Sequence, residues 1–484
     1  MNTTELADLM TSVLPKACMV TEKNALRAYE CDGLSAFRQA PLMVVLPETI
    51  EQVQGVMALC HEHEIPIVSR GGGTSLSGGA LPHKDGIVLS LAKMNEVVSI
   101  NKASRMAVVQ PGVRNLAISE AAEPYGLYYA PDPSSQIACT IGGNVAENAG
   151  GVHCLKYGLT IHNIVNVTVV TSKGELVKLG GAGYDDAGYD LLALMIGSEG
   201  MLGVVVEVTV KLLPIPDVAK VLMGVFDSVE KAGDSVAAII AEGIIPAGIE
   251  MMDNPAIRAA EAFVHANYPV DAEAILLCEL DGIAEDVDQQ LEQVTQILHR
   301  CGAIDTTIAK DEQERALFWS GRKSAFPAVG RLSPDYYCID GTIPRQHLGR
   351  VLREINRLSE HYELPVANVF HAGDGNLHPL ILYDANIPGA LEKTESLGSQ
   401  ILQLCVEVGG TITGEHGVGV EKIGEMCIQF SDDERHCFHQ VRECFDPKRI
   451  LNPGKAIPTL ARCAEHNAMH VHNGQVPFPE LDRF

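Results

Sequence analysis

The densest run of chemically capable side chains in this sequence is His371-Ala372-Gly373-Asp374-Gly375-Asn376-Leu377-His378. Apolar runs on either side read as strands, so a tight polar loop brings two imidazoles from strand ends toward one point. Two imidazoles and a carboxylate are a common donor set for a divalent metal. Glu415, in Gly414-Glu415-His416-Gly417-Val418-Gly419, is the obvious third ligand. The alternative is that both histidines are satisfied by hydrogen bonds alone. His416 adjoins Glu415 in a glycine-rich turn, and its imidazole is the group best suited to exchange a proton near neutrality. Arg322 stands close to Trp319, the only tryptophan, and its guanidinium can pair bidentately with a carboxylate, either a substrate's or a structural partner's. His466, His470 and His472 with Cys463 form a looser set, read as surface or interface residues.

Three small-residue segments could serve a cofactor. Arg70-Gly71-Gly72-Gly73-Thr74-Ser75-Leu76-Ser77-Gly78-Gly79 offers backbone N–H groups with few side chains in the way, which suits a diphosphate held by main-chain donors. It is not a Rossmann fingerprint, because the spacing fails G-x-G-x-x-G and the segment leads to a strand, and the chain has no G-K-[S/T] P-loop. The second segment is Pro131-Asp132-Pro133-Ser134-Ser135 with Thr140-Ile141-Gly142-Gly143-Asn144, and the third is Gly197-Ser198-Glu199-Gly200-Met201-Leu202-Gly203. One extended nucleotide cofactor explains all three more simply than three unrelated turns.

The elements that must position these groups follow from periodicity. Ile50, Val53, Val56, Met57 and Cys60 recur at helical spacing, and a strand at 65–69 then runs straight into the first glycine segment. Residues 165–171 and 175–178 read as a hairpin across Ser172-Lys173-Gly174, and 204–210 is a β-branched strand. Pro214 and Pro216 mark a domain edge. Beyond it a strand–helix–strand rhythm occurs twice, over 220–252 and 274–308, which suggests a split βαβ layer with helices on one face. Strands at 337–343, 366–370 and 377–383 and a long helix stopped by Gly409-Gly410 extend it. The expected division is a cofactor-binding domain over 1–215, a substrate or cap domain over 216–412, and a C-terminal segment over 413–484 that returns to the cofactor.

Composition removes several functional classes. The 484 residues hold 62 acidic and 36 basic side chains, and the net charge of −26 repels phosphate backbones and anionic headgroups, so nucleic acid is not the expected partner. Hydrophobic content of 46% is that of ordinary globular domains, and the length implies more than one core. No stretch approaches the ~18 apolar residues of a membrane span, and the N-terminus lacks a signal pattern, so a cytoplasmic location is expected. Thirteen cysteines are scattered, with Cys437 and Cys444 the nearest pair. The missing C-x-x-C spacing argues against an iron–sulfur cluster or structural zinc and for reduced thiols.

In order, the segments at 70–79, 131–144, 197–203, 371–378 and 414–419 with Asn452-Pro453-Gly454-Lys455 resemble FAD-linked 2-hydroxy-acid dehydrogenases of the vanillyl-alcohol-oxidase type. H-A-G-D-G-N-x-H together with G-E-H-G-x-G is the most specific part. Ser333-Pro334-Asp335-Tyr336-Tyr337 and the Pro477-Phe478-Pro479-Glu480-Leu481 ending are similar to the large FAD-bearing subunits of bacterial glycolate-oxidising complexes. The resemblance implies an α+β fold: a two-part FAD-binding domain, an α+β cap domain with a ferredoxin-like antiparallel sheet, and a C-terminal helical segment. It implies that Arg70, Gly71, Gly72, Gly73, Thr74, Ser75 and Ser77 hold the FAD pyrophosphate. Pro131, Ser135, Gly142, Gly143 and Asn144 then lie along the ribityl chain and flavin ring, and Gly197, Gly200, Gly203 and Asn452 complete the cofactor site. His371, His378 and Glu415 match the family's ligands for a divalent metal (zinc, manganese or iron), His416 its base and Arg322 its carboxylate clamp.

No histidine lies within 70–79, so a noncovalent FAD is expected. Cys338 stands where relatives acting on 2-hydroxyglutarate carry a lysine, which favours a short acid such as glycolate or D-lactate. The implied reaction is oxidation of glycolate to glyoxylate by hydride transfer to FAD. Electrons then pass through an iron–sulfur subunit and a second FAD-binding subunit to quinone, with peripheral association at the inner face of the cytoplasmic membrane through those partners. The rival readings are a D-lactate dehydrogenase acting alone and a noncatalytic FAD-holding scaffold, the latter opposed by the presence of His371, His378, Glu415 and His416. A metallohydrolase leaves the three small-residue segments unexplained.

Overall fold

A computed structural model describes residues 2–183 and 187–458. The tail histidines, Cys463 and the 477–481 ending lie outside the described residues. In the N-terminal part, Thr49 caps the helix Ile50–His63 by accepting the Gln52 N–H, and the helix buries Val53, Val56, Met57 and Cys60. That helix is the crossover that lets Met43–Val45 and Ile67–Arg70 both pair in parallel with Ile87–Ser90. A second, five-stranded antiparallel sheet has the long β-branched strand Val204–Lys211 at its centre, between Met106–Val109 and Ile164–Val170. The chain returns to the first sheet near its end, where the Asn452 N–H donates to Ile67 O at 2.7 Å. One segment departs from expectation: the small-residue stretch at 140–144 is the start of the helix Ile141–Glu147.

From Val218 onward the chain builds an eight-stranded sheet whose neighbouring strands are all antiparallel. Its first four strands run Asp305–Ile308, Val218–Phe226, Ala274–Gly282, Gly248–Asp253 across the sheet, the ferredoxin-like order. Val366–His371 and Asn376–Tyr383 continue it, followed by Asp335–Cys338, and the strand expected at 337–343 is two short pieces, both paired to Asn376–Tyr383. Helices cover both faces, not one. Leu222 and Phe226 pack with Val236, Val294, Val351 and Ile401 from four helices on one side. Their sequence neighbours Val221, Met223 and Val225 pack with Ile257, Phe318 and Val329 on the other. Unbroken apolar runs at 221–226 and 274–278 are the pattern of a strand buried on both faces, where an alternating pattern would mark one wet face. Among the described residues no helix is long and apolar enough to cross a membrane.

A partly buried ionic bridge ties the 131–135 segment to the large sheet. His153 Nδ1 lies 2.9 Å from Asp132 and Nε2 lies 3.2 Å from Glu279, which also accepts from Arg315 and Trp319. Burial alone would lower the His153 pKa, but Asp132 and Glu279 outweigh it and raise it to about 10. A raised pKa contributes stability that is complete below the unfolded value of ~6.5 and is lost as pH climbs toward the folded value. Thermal scans of the parent and His153→Gln should therefore differ most near pH 6 and converge by pH ~10, with a gap on the order of 3 kcal/mol at the acid end. A gap independent of pH would show that His153 is uncharged in the fold.

Candidate active site

The hairpin of Val366–His371 and Asn376–Tyr383 sets the first two groups. His371 faces Asn376 across it and His378 faces Val369, so His378 sits inside its strand and not at the end. Their rings meet edge-on with centroids 5.1 Å apart, and His416 stacks on His378 at 4.8 Å. Glu415 Oε1 lies 3.2 Å from His371 Nε2, 3.4 Å from His378 Nε2 and 3.8 Å from His416 Nε2. Asp340 fixes the turn that carries Glu415 and His416. Its carboxylate accepts from the backbone N–H groups of Gly414, Glu415 and His416, from Asn376 Nδ2 and Thr413 Oγ1, and from Lys422 Nζ at 3.1 Å. The approach is so close at Gly414 that a Cβ there would fall 1.4 Å from Asn376 Nδ2.

The electrostatics follow from this packing. Burial pushes the Glu415 carboxyl up, but the hydrogen bond and charge of His371, with His378 and His416 beyond, pull it down to about 2. Burial lowers the His416 pKa to about 4 despite Asp340 and Glu415, so near pH 7 its ring is neutral with a lone pair to offer. Burial would also lower His371, but Glu250, 2.7 Å from its Nδ1, holds it well above the ordinary range.

Arg322 lies behind His371. Its Nε donates to Glu250 Oε2 at 2.7 Å, it is 1% exposed, and it lines neither cavity at the site. It braces His371 through Glu250, and its Nη2 is buried without a hydrogen-bond partner; Lys323, the next residue, lines the cavity wall. Cys338 is likewise buried away from both cavities.

A divalent metal fits the donors. His371, His378 and Glu415 offer atoms within 4.8 Å of one another, as do Asp340, His378 and His416. The first set is favoured because Asp340 already spends its lone pairs on the donors named above; His378 Nε2, common to both sets, is buried without a hydrogen-bond partner. Glu250 holds the far nitrogen of His371, the usual way a ligating imidazole is oriented.

A cavity of about 360 Å³ ends on His378, Glu415 and His416. Arg70, Gly71, Gly72, Gly73, Thr74 and Ser75 line it from the first segment, Ser135, Gly142, Gly143 and Asn144 from the second, and Gly200, Gly203 and Asn452 from the third and the C-terminal return. Gly73 takes φ +68° with Arg70 folded over it, a position that favours glycine. Three expected residues support the wall and do not line it. Ser77 O accepts the Val420 N–H, Pro131 O accepts Asn115 Nδ2, and the Gly197 N–H donates to Val145 O. Thr140 Oγ1 and Glu147 Oε2 are buried in this wall without partners, as befits a cavity built to receive a polar cofactor. Phe326, unremarked in the sequence, forms part of the wall and packs edge-on to His378 at 6.1 Å.

Comparison with known proteins agrees with this cavity. An "FAD binding domain" family model matches residues 41–180, and "FAD linked oxidases, C-terminal domain" matches 215–456. The glycolate oxidase subunit GlcD of Escherichia coli K12 is 65% identical over 456 residues, 94% of this chain and 91% of that protein. A D-lactate dehydrogenase of Anaerostipes hadrus is 32% identical over 463 residues, 94% of this chain and 97% of its own. A crystal structure of p-cresol methylhydroxylase superposes with a TM-score of 0.80 over 95% of this chain and 97% of that one, at 16% identity, a likeness of fold alone. With both family models matched and similarity to these relatives over nearly the full length, the chain belongs to the FAD-linked oxidases.

Proposed function

We propose that this chain is the FAD-bearing subunit of a glycolate-oxidising complex and converts glycolate, a short 2-hydroxy acid, to glyoxylate. The observation that carries the reading is one cavity lined both by the three glycine-bearing segments and by His378, Glu415 and His416. The 65% identity to a glycolate oxidase subunit supports the same substrate. FAD, when bound, supplies the hydride acceptor, and a divalent ion on His371, His378 and Glu415 supplies Lewis acidity. Arg70 and the N–H groups of 71–75 receive the pyrophosphate, and Gly142, Gly143 and Asn144 leave room for the ring system. His416 takes the proton of the substrate hydroxyl as the Cα hydrogen departs with its electron pair, leaving a carbonyl. Asp340 holds the His416 backbone, His378 stacks on its ring, and Arg322 acts at one remove through Glu250.

Anaerobic mixing of the FAD-loaded chain with a panel of 2-hydroxy acids tests this. Glycolate should bleach the flavin fastest and D-lactate more slowly, whereas a scaffold bleaches with none. The chain has no cluster-type cysteine spacing, so an iron–sulfur subunit and a second FAD-binding subunit are the proposed route onward to quinone at the inner membrane face. An artificial dye should accept electrons from the isolated chain, and efficient quinone reduction without partners would count against that route.

Metal content gives an independent check. Elemental analysis should find a stoichiometric divalent ion that Glu415→Gln or a strong chelator removes while FAD remains. Full turnover by metal-free protein would remove His371, His378 and Glu415 from the ligand role.

A further inference from the structure

A second cavity, of about 320 Å³, reaches the same site by a different wall. Glu415 is the one residue common to the two linings among the described residues. The second cavity is lined by exposed His162, half-buried Arg345, buried His371 and partly buried Glu415. Cys154, Leu155 and Leu159 give it apolar sides. Two lining residues, Thr342 and Asn376, carry buried side-chain oxygens with no hydrogen-bond partner, Oγ1 and Oδ1.

Charge adds a second line of argument. The chain carries −26 overall and repels a small carboxylate at long range, so arrival depends on a local cation. Asp374 and Glu415 put carboxyl groups on the inner wall, and Arg345 is the only arginine or lysine in the lining. Arg345 Nη1 donates to Gly373 O at 2.9 Å, which anchors the guanidinium beside the turn between the two histidine-bearing strands. The first cavity is the one proposed to hold FAD, which leaves the second as the other cavity that touches Glu415.

We propose that the second cavity is the entry passage for the small carboxylate substrate, with Arg345 as the steering cation at its mouth and Leu159 as the wall that limits its width. The proposal rests on the chain oxidising a short 2-hydroxy acid. Leu159 suits the gating position because its Cδ2 approaches Gly150, whose other close neighbour is the Glu415 carboxylate.

The test is anaerobic stopped-flow bleaching of the FAD-loaded protein by glycolate and D-lactate, at low and high salt. Arg345→Glu should lower the second-order bleaching constant about tenfold or more at low salt, with the deficit shrinking at high salt and the limiting rate at saturating acid nearly unchanged. A residue needed only for folding would not give that salt dependence. Arg345→Lys should restore most of the constant. Leu159→Trp should lower it by a similar factor, more for D-lactate than for glycolate, while Leu159→Ala should not. Flavin absorbance and metal content report whether each variant is intact, and the two positions decide independently if one variant folds poorly. Parent protein that bleaches while intact Arg345→Glu and Leu159→Trp keep the parent constant within about twofold would overturn the passage alone, since steering is typically worth more. Parent protein that neither acid bleaches would overturn the underlying activity and the passage with it.

Discussion

Replacing His416 by asparagine should slow flavin reduction by the preferred acid by about 10²–10⁴-fold, the usual contribution of a positioned general base, while yellow colour and metal content persist. The backbone accounts for this persistence: the His416 N–H donation to Asp340 does not depend on the side chain, and Gly417 absorbs the turn with φ +80°. Asparagine is polar and of similar reach, so the stack on His378 is lost without opening a large void. What it cannot do is accept a proton, because its amide has no basic lone pair near neutrality. Stopped-flow reduction slowed by less than about threefold, far below a typical base contribution, would move the base role to another residue. The limiting rate should carry the deficit, since the substitution removes a group acting on the hydroxyl proton and leaves the acid's route inward untouched.

The chemistry was more legible in the sequence than its support. His371, His378, Glu415 and His416 stand out because reactive side chains are packed among glycines, which have no other reason to gather there. Their spacing suffices, since a tight hairpin and a tight turn can each present only a few side chains. Arg322 was visible as a residue but its pairing was not, because its partner Glu250 sits far upstream in the strand Gly248–Asp253. A lone glutamate inside the apolar run Gly248-Ile249-Glu250-Met251-Met252 was a usable signal: a carboxylate on a fully buried strand must have a partner. Asp340 and Lys422 gave no comparable sign, as each lies in ordinary mixed sequence and meaning comes only from their meeting in space. The two-sided burial of the large sheet was encoded in 221–226 and 274–278, but the helix that covers its second face, Asn254–Val264, has small apolar residues that read weakly as a core stripe.

The largest structural effect should come from Asp340→Ala. Asp340 and Lys422 are both 0% exposed, and their oxygen and nitrogen meet at 3.1 Å. Burial alone would raise the Asp340 pKa, but Lys422 overcomes it and holds the carboxyl well below its ordinary range, so the pair is ionic in the folded protein. Breaking such a pair from one side leaves an uncompensated buried charge and typically costs about 3–5 kcal/mol. Here the N–H groups of Gly414, Glu415 and His416 lose their acceptor as well, so the damage should fall on the turn that carries the metal and proton-transfer groups. Chemical denaturation should show the loss, and elemental analysis of the surviving fold should show weakened metal retention. The decisive comparison is the double variant Asp340→Ala/Lys422→Met: removing the stranded ammonium should return part of the stability, making the double variant less destabilised than the sum of the single ones. It should not return flavin reduction, because methionine restores no acceptor for the Glu415 and His416 backbone. Strict additivity would mean that the two charges do not depend on one another, and recovered reduction would mean that the turn holds its shape without Asp340.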